Sequence, residues 1–247
     1  MKKNILLIVF YLLINPVFSQ VTEVEYSREG YKFSMFHYDK EVVYFNDSIS
    51  VSKPIAGRDI TSSNGRGIPT FDDSIGLYIY INHAKEFMYE RNRAFKAEHF
   101  VVADSIFTPL NWQLIDSTKQ VGSYTCQLAK TICYGRTYYA WYTSEIPSDK
   151  GPWKLSGLPG LIIYAFDYDK AYQWKALKIT NNVNFDFSIF PSSDEQLNPK
   201  EFREKGDELR RKKLKAMEAR AAQRGLVGEI NFKKAEGIEL TDYRNEQ

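Results

Sequence analysis

Residues 138–166 read YYAWYTSEIPSDKGPWKLSGLPGLIIYAF. Tyr138, Ala140 and Tyr142 alternate with Tyr139, Trp141 and Thr143. Period two of this kind predicts a strand with rings on both faces. Pro147 and Pro152 carry no N–H to donate to a ladder, so strand pairing must stop between them. Pro159 holds Leu158 extended, and Pro159-Gly160 fits positions i+1 and i+2 of a type II turn, with Gly160 supplying a positive φ. Leu161–Phe166 then resumes as a strand, turns around Asp167–Lys170 and returns as Tyr172–Ile179. Strand, rigid bridge, strand, strand is the grammar of an antiparallel β protein.

The chain before this stretch reads the same way. Val24–Tyr26 and Lys32–Tyr38 are short aromatic-laced runs broken at Glu29-Gly30. Val42–Phe45 and Ser48–Val51 flank Asn46-Asp47, a pair that tolerates hairpin geometry. Pro54–Pro69 lacks periodicity and reads as a loop. Leu77, Ile79 and Ile81 alternate with Tyr78, Tyr80 and Asn82, a strand whose hairpin partner is Phe87–Glu90. A helix over Ala84–Ala97 is the rival reading there. Phe100–Ile106 is another strand candidate, and Tyr134-Gly135-Arg136 is a turn between Leu128–Cys133 and Thr137–Thr143.

From Trp112 onward the residues also resemble a known family. Trp112, then Gly122-Ser123-Tyr124-Thr125-Cys126 and Ala129, then Trp141-Tyr142-Thr143, Glu145-Ile146-Pro147, Gly151-Pro152-Trp153-Lys154 and Gly157-Leu158-Pro159-Gly160-Leu161-Ile162 follow in order. This succession is similar to the GLPGLI family of exported Bacteroidetes proteins, for which no shared activity is established. The resemblance spans roughly Trp112 to Ile179 and implies an exported protein without implying a reaction. Gly157, Leu158, Pro159, Gly160, Leu161 and Ile162 carry two readings. They form a structural corner, or a rigid apolar lip that touches a ligand or partner together with Trp141 and Trp153. Backbone demands alone account for Pro and Gly at a turn, which favours the corner.

Composition bounds the function. Lys2 and Lys3 precede an apolar run over Ile5–Ile14, near ten residues where a span needs about 20, and Val17-Phe18-Ser19 gives a small-residue exit. Residues 1–19 therefore read as a secretory signal, and the rest of the chain is expected in the periplasm, at the outer-membrane periphery or outside the cell, without a membrane-spanning segment. The chain has 33 Lys and Arg against 31 Asp and Glu. Removing Lys2 and Lys3 leaves 31 against 31, so no global field recruits nucleic acid or anionic lipid. Aromatics at 15% suit a half-buried pleated surface. Cys126 and Cys133 lie seven residues apart; on one continuous strand that is about 23 Å, beyond disulfide reach, so two unpaired, partly buried thiols are the favoured reading, and a disulfide requires a bend or bulge around Ala129–Lys130.

No motif supplies a cofactor, metal or catalytic site. His37, His83 and His99 show no paired-ligand spacing, Ser156-Gly157 is not part of a G-x-S-x-G elbow, and Gly65-Arg66-Gly67 opens no phosphate-cradling helix. Asp72-Asp73 and Asp167/Asp169 are ordinary acidic turn residues or a weak cation site.

At the C-terminal end Asn198-Pro199-Lys200-Glu201 is a helix start with cap, Pro and capping-box Glu in place. The helix is expected to reach about Arg224, stop at Gly225, and dock by a narrow stripe of Phe202, Leu209, Ala216 and Met217. It is basic, with ten Lys or Arg against five Asp or Glu between Lys200 and Arg224, which reads as a solvated helix face, with an anionic-surface binder as the alternative. A tail with at most a short strand at Gly237–Leu240 follows.

The expected whole is residues 20–190 as one antiparallel β domain, a strongly curved sheet or open half-barrel of the lipoprotein-carrier (LolA-like) kind by analogy. Residues 191–247 form the basic helix and tail. The expected function is non-enzymatic binding of a hydrophobic ligand or an envelope protein's segment on the curved sheet. The alternative is an interaction accessory of an outer-membrane transport or secretion system, and an enzyme ranks third.

Overall fold

The computed structural model describes residues 20–30, 38–56, 75–94, 98–104 and 110–224. The signal-like segment, most of Lys32–Tyr38, the rest of Pro54–Pro69, Gly225 and the Gly237–Leu240 run lie outside the described residues. Among the described residues twelve strands join one sheet: β1 Thr22–Glu29, β2 Tyr38–Phe45, β3 Ile49–Ala56, β4 Tyr78–Asn82, β5 Phe87–Ala94, β6 Glu98–Asp104, β7 Gln113–Val121, β8 Tyr124–Cys133, β9 Arg136–Thr143, β10 Leu161–Asp167, β11 Gln173–Asn181 and β12 Glu195–Leu197. A helix, α1, follows at Pro199–Gln223.

The spatial order is β12-β6-β5-β4-β3-β2-β1-β11-β10-β9-β8-β7. Two meanders, β1 to β6 and β7 to β11, are thus stitched together where β1 pairs antiparallel with β11. Among the described strands only β12 runs parallel to its neighbour, β6. Local chemistry explains the hairpins. The side-chain Oδ1 of Asn46 accepts from the N–H groups of Ser48 and Ile49 at 2.9 and 2.8 Å, closing β2 onto β3. Tyr134 and Gly135 take φ of +49° and +76° between β8 and β9, the pair of left-handed residues that matches strand twist.

The sheet is open but strongly curled. Lys154 Nζ sits 2.7 Å from Glu90 Oε2 on β5, while Trp112, just before β7, donates its indole N–H to Ser156 O at 2.8 Å. Strands β5 and β7 are third and twelfth in the order, about 43 Å apart if the sheet were flat. Lys154 and Ser156 are two residues apart, at most about 7 Å. Only a sheet wrapped around the β9–β10 connection satisfies both contacts. One apolar cluster accordingly gathers Val24, Val43, Ile79, Met88, Ala140 and Trp174 from across the sheet with Trp153, Leu155 and Leu158 of that connection.

Three expectations change here. Ala84–Ala97 contains no helix among its described residues: Phe87–Ala94 is β5, with strand partners on both sides. Pro54 belongs to β3 rather than to a loop. Gly160 does not adopt a positive φ; Gly157 does, at +95°. Gly160 is required for space instead, because a Cβ there would fall against the Thr143 carbonyl, 2.6 Å from its carbon. Neither cysteine is in a disulfide, and both are buried, toward the two ends of β8.

Candidate functional site

The charged residues that decide the site sit where an alternation pattern points inward. Arg28 shares the parity of Val24 and Tyr26 on β1, and Glu41 that of Val43 and Phe45 on β2; those four apolar residues are core. Glu41 is only 2% exposed. Its Oε1 accepts from Ser52 Oγ at 2.6 Å and from the Trp153 backbone N–H, and its Oε2 accepts from the Trp174 indole at 2.9 Å. Arg28 Nε lies 3.4 Å from the same Oε2. A buried carboxylate is stable only with such partners.

Trp153 is held by this carboxylate in an uncommon shape. Its φ is +54°, a left-handed conformation that costs a bulky residue on the order of 1–3 kcal/mol unless its surroundings fix it. The Glu41 contact, a stacked Trp174 ring at 6.0 Å and a Tyr138 ring at 5.6 Å supply that fixation. Lys154, next in the chain and 1% exposed on its side chain, turns the other way and ends on Glu90, with its ammonium 4.5 Å from the Tyr134 ring.

A cavity of about 310 Å³ opens beside Trp153. It lies at one end of the sheet, where β1, β3 and β5 finish and β2, β4 and β11 begin. Tyr38, Pro54, Leu77, Tyr78, Ile79, Trp153 and Tyr172 face it with mostly carbon surface, and Arg28, Glu41, Ser52, Glu90, Arg91 and Asn92 complete the wall. Arg91 Nε binds Asp194 Oδ2 at 2.6 Å and its NH1 binds Gly76 O at 2.8 Å. Tyr78 Oη accepts from Ser192 N at 2.7 Å. Burial lowers the affinity of the Arg28 guanidinium for its proton, an effect the Glu41 charge opposes. Burial likewise raises the Tyr78 phenol above its ordinary range. The site is desolvated and preorganised, with every charge answered by an opposite one.

The residues singled out in the sequence fall in different places. Trp153 lines the cavity. Leu158, 1% exposed, and Leu161 and Ile162 lie in the core and offer a ligand no surface. Gly157 sits under the Trp112 ring, 3.9 Å from where its Cβ would stand. Trp141 is in the core cluster, with Lys119 Nζ 4.2 Å from its ring centroid. Asp167 accepts from Tyr172 N and Arg136, while Asp72-Asp73 and His37 lie outside the described residues. His83 Nε2 is 2.8 Å from Ser50 Oγ, and burial followed by the Lys150 charge pushes the imidazole down to about 4, with Asp149 opposing. Among the described residues no cluster of three or more His, Cys, Asp or Glu could hold a metal ion, and no helix is long and apolar enough to cross a membrane. Arg28, Glu41, Glu90 and Arg91 escaped the sequence reading; a charge at a core-facing strand position was the signal for the first three, while Arg91 shares the parity of Tyr89 on the other face.

A family model described as "Protein of unknown function (Porph_ging)" matches residues 135–164. That match covers β9, the wrapped connection with Trp153 and the start of β10. It carries no activity. Among solved structures, PNGF-II in a P21 crystal form is similar with a TM-score of 0.53 and 14% identity over 75% of this chain and 33% of that one. PNGF-II in a C2 form gives 0.50 and 14% over 73% and 31%. The chain thus spans about a third of the length of these structures, and at such identity the likeness is one of fold. A comparison with curated proteins returns no match.

Proposed function

We propose that this chain is an exported cell-envelope protein that binds a small, largely apolar ligand, or an apolar side chain of a partner segment, in the cavity beside Trp153. The observation that carries the reading is the cavity itself. Its volume of about 310 Å³ is at the lower end of ligand sites, and its mainly carbon wall with a few fixed polar groups is the usual composition of such sites. The conformation of Trp153 adds to this, because a left-handed aromatic backbone fixed by a buried carboxylate is a preorganised wall. Export rests on the signal-like residues 1–19 and on the resemblance of Trp112–Ile179 to the GLPGLI family of Bacteroidetes. The sheet's concave face is occupied by its own connection, which supports a ligand at the sheet's end rather than along the curve.

The test uses the mature chain, residues 20–247, incubated with envelope lipid extract, repurified and analysed by mass spectrometry. A stoichiometric small amphiphile, lost in Ile79→Trp while the thermal transition persists, is the expected result. Ile79 is chosen because it lines the cavity, so a larger ring there occupies the space. Nothing recovered from the parent chain, together with tryptophan emission unmoved by the extract, would sink the proposal.

A second reading, docking of an envelope protein, is favoured by Ile132 and Leu114, 72% and 53% exposed at the β7–β8 edge of the sheet. Ile132 lines a groove there with Trp112, Lys130 and Thr131. A photo-crosslinker at position 132 that captures one dominant envelope protein, with no ligand in the cavity, would move the balance to this reading.

A further inference from the structure

Among the described residues, four charged side chains line the cavity, and each is answered within the fold. Arg28 faces Glu41 at 3.4 Å, Arg91 faces Asp194 at 2.6 Å, and Glu90 faces Lys154 at 2.7 Å. The ring of charge around the space is therefore three cations and three anions. Three of the six side chains are nearly without solvent, Lys154 at 1%, Arg91 at 2% and Glu41 at 3% exposure. In so dry a setting a charge that enters without a counter-charge loses its hydration and gains no net attraction. Disrupting one of the pairs to make room would leave its other member uncompensated, which is worse.

We infer that the cavity selects for ligands of zero net charge: an apolar body ending in an uncharged or zwitterionic polar group, with free fatty acids and alkyl amines discriminated against. This rests on the ligand reading above and adds to it the chemical class of the ligand. The polar end meets Tyr38, Ser52 or Asn92 in the wall, and the apolar body lies against Trp153, Ile79 and Leu77. Specificity here comes from the cost of an unmatched charge rather than from one strong attractive contact.

Three probes with the same eight-carbon chain separate the possibilities: 1-octanol, octanoate and octylammonium, each titrated into the mature chain at pH 8 and followed by tryptophan emission and calorimetry. Octanol is expected to bind at least tenfold tighter than either ion. Because octanol is also the least hydrated probe, the deciding comparison is a change in the protein. Glu90→Gln keeps the shape of the side chain and removes the negative charge opposite Lys154. It should improve octanoate relative to octanol by at least tenfold and worsen octylammonium. A ratio unmoved by Glu90→Gln, in protein whose thermal transition is retained, overturns the inference. So does octanoate as the tightest ligand of the unaltered chain. In both cases the cavity would still be a binding site. No binding by any of the three probes overturns the inference and the ligand reading together.

Discussion

At the scale of single residues, Gly157 and Gly160 do different work three positions apart. Gly157 has φ +95° and a Cβ there would meet only the Trp112 ring at ordinary contact distance, whereas Gly160 has no positive φ and a carbonyl in the way. Gly157→Ala should therefore cost only the backbone strain, about 1–2 kcal/mol, whereas Gly160→Ala must separate β10 from Thr143 and should cost about 3 kcal/mol or more. Urea unfolding of the mature chain measures both, and equal losses would contradict the division. The sequence showed the bend at Pro159-Gly160, because a turn is written in neighbouring residues. It could not show why position 160 must be Gly. The atom that excludes a side chain belongs to Thr143, seventeen residues earlier, and arrives only through the Thr143–Leu161 pairing of β9 and β10. Glu41 and Arg28 were hidden for the same reason. A charged residue in a strand is read as solvent-facing until the partners that answer it, Trp153 and Trp174, are seen to converge from 112 and 133 residues away.

At the scale of elements, what was legible is what is local. The start of α1 was read from four letters, and the structure has each bond of it: Asn198 Oδ1 accepts from Glu201 N at 2.9 Å and Glu201 Oε2 accepts from Asn198 N at 2.8 Å. β5 was ambiguous because Ala84–Ala97 holds residues that suit either form, and pairing with β4 and β6 decided it. β12, three residues long, was not read at all, since the strand it pairs with, β6, is distant in the chain. The docking of α1 is narrow. Phe202 meets Phe100 edge-on at 6.3 Å, and Leu209 joins the same small cluster with Leu197. Residues after Leu209 are mostly exposed. An element tied down by so few apolar contacts opens on its own. Phe202→Ala should abolish hydrogen-exchange protection across residues 199–223 and leave the amides of β8, β9 and β10 as slow as before. Protection lost in the sheet as well would show that the helix is a working part of the core.

At the scale of the molecule, the sheet and its β9–β10 connection are one body. The connection touches β2 through Glu41, β5 through Glu90 and the start of β7 through Trp112, so unwrapping any of these exposes the others. The cysteines test this from inside. Cys126 and Cys133 stand at opposite ends of β8, both in the main apolar cluster, at 0% and 2% exposure. Burial raises the Cys126 thiol to about 11, and the Glu145 charge adds to the rise, so the reactive thiolate is scarce even at pH 8. If the wrapped sheet opens only as a whole, an aromatic disulfide reagent should label both thiols with one rate, equal to the rate of global unfolding measured by far-ultraviolet circular dichroism. In denaturant both should react at once. The alternative is specific: Cys126 pairs with Lys119 on β7, the last strand of the sheet, and an edge that frays alone would release it early. Fast labelling of Cys126 beside a slow Cys133 would therefore mean that the β7 edge moves independently, and that the connection holds the two meanders together without holding that edge.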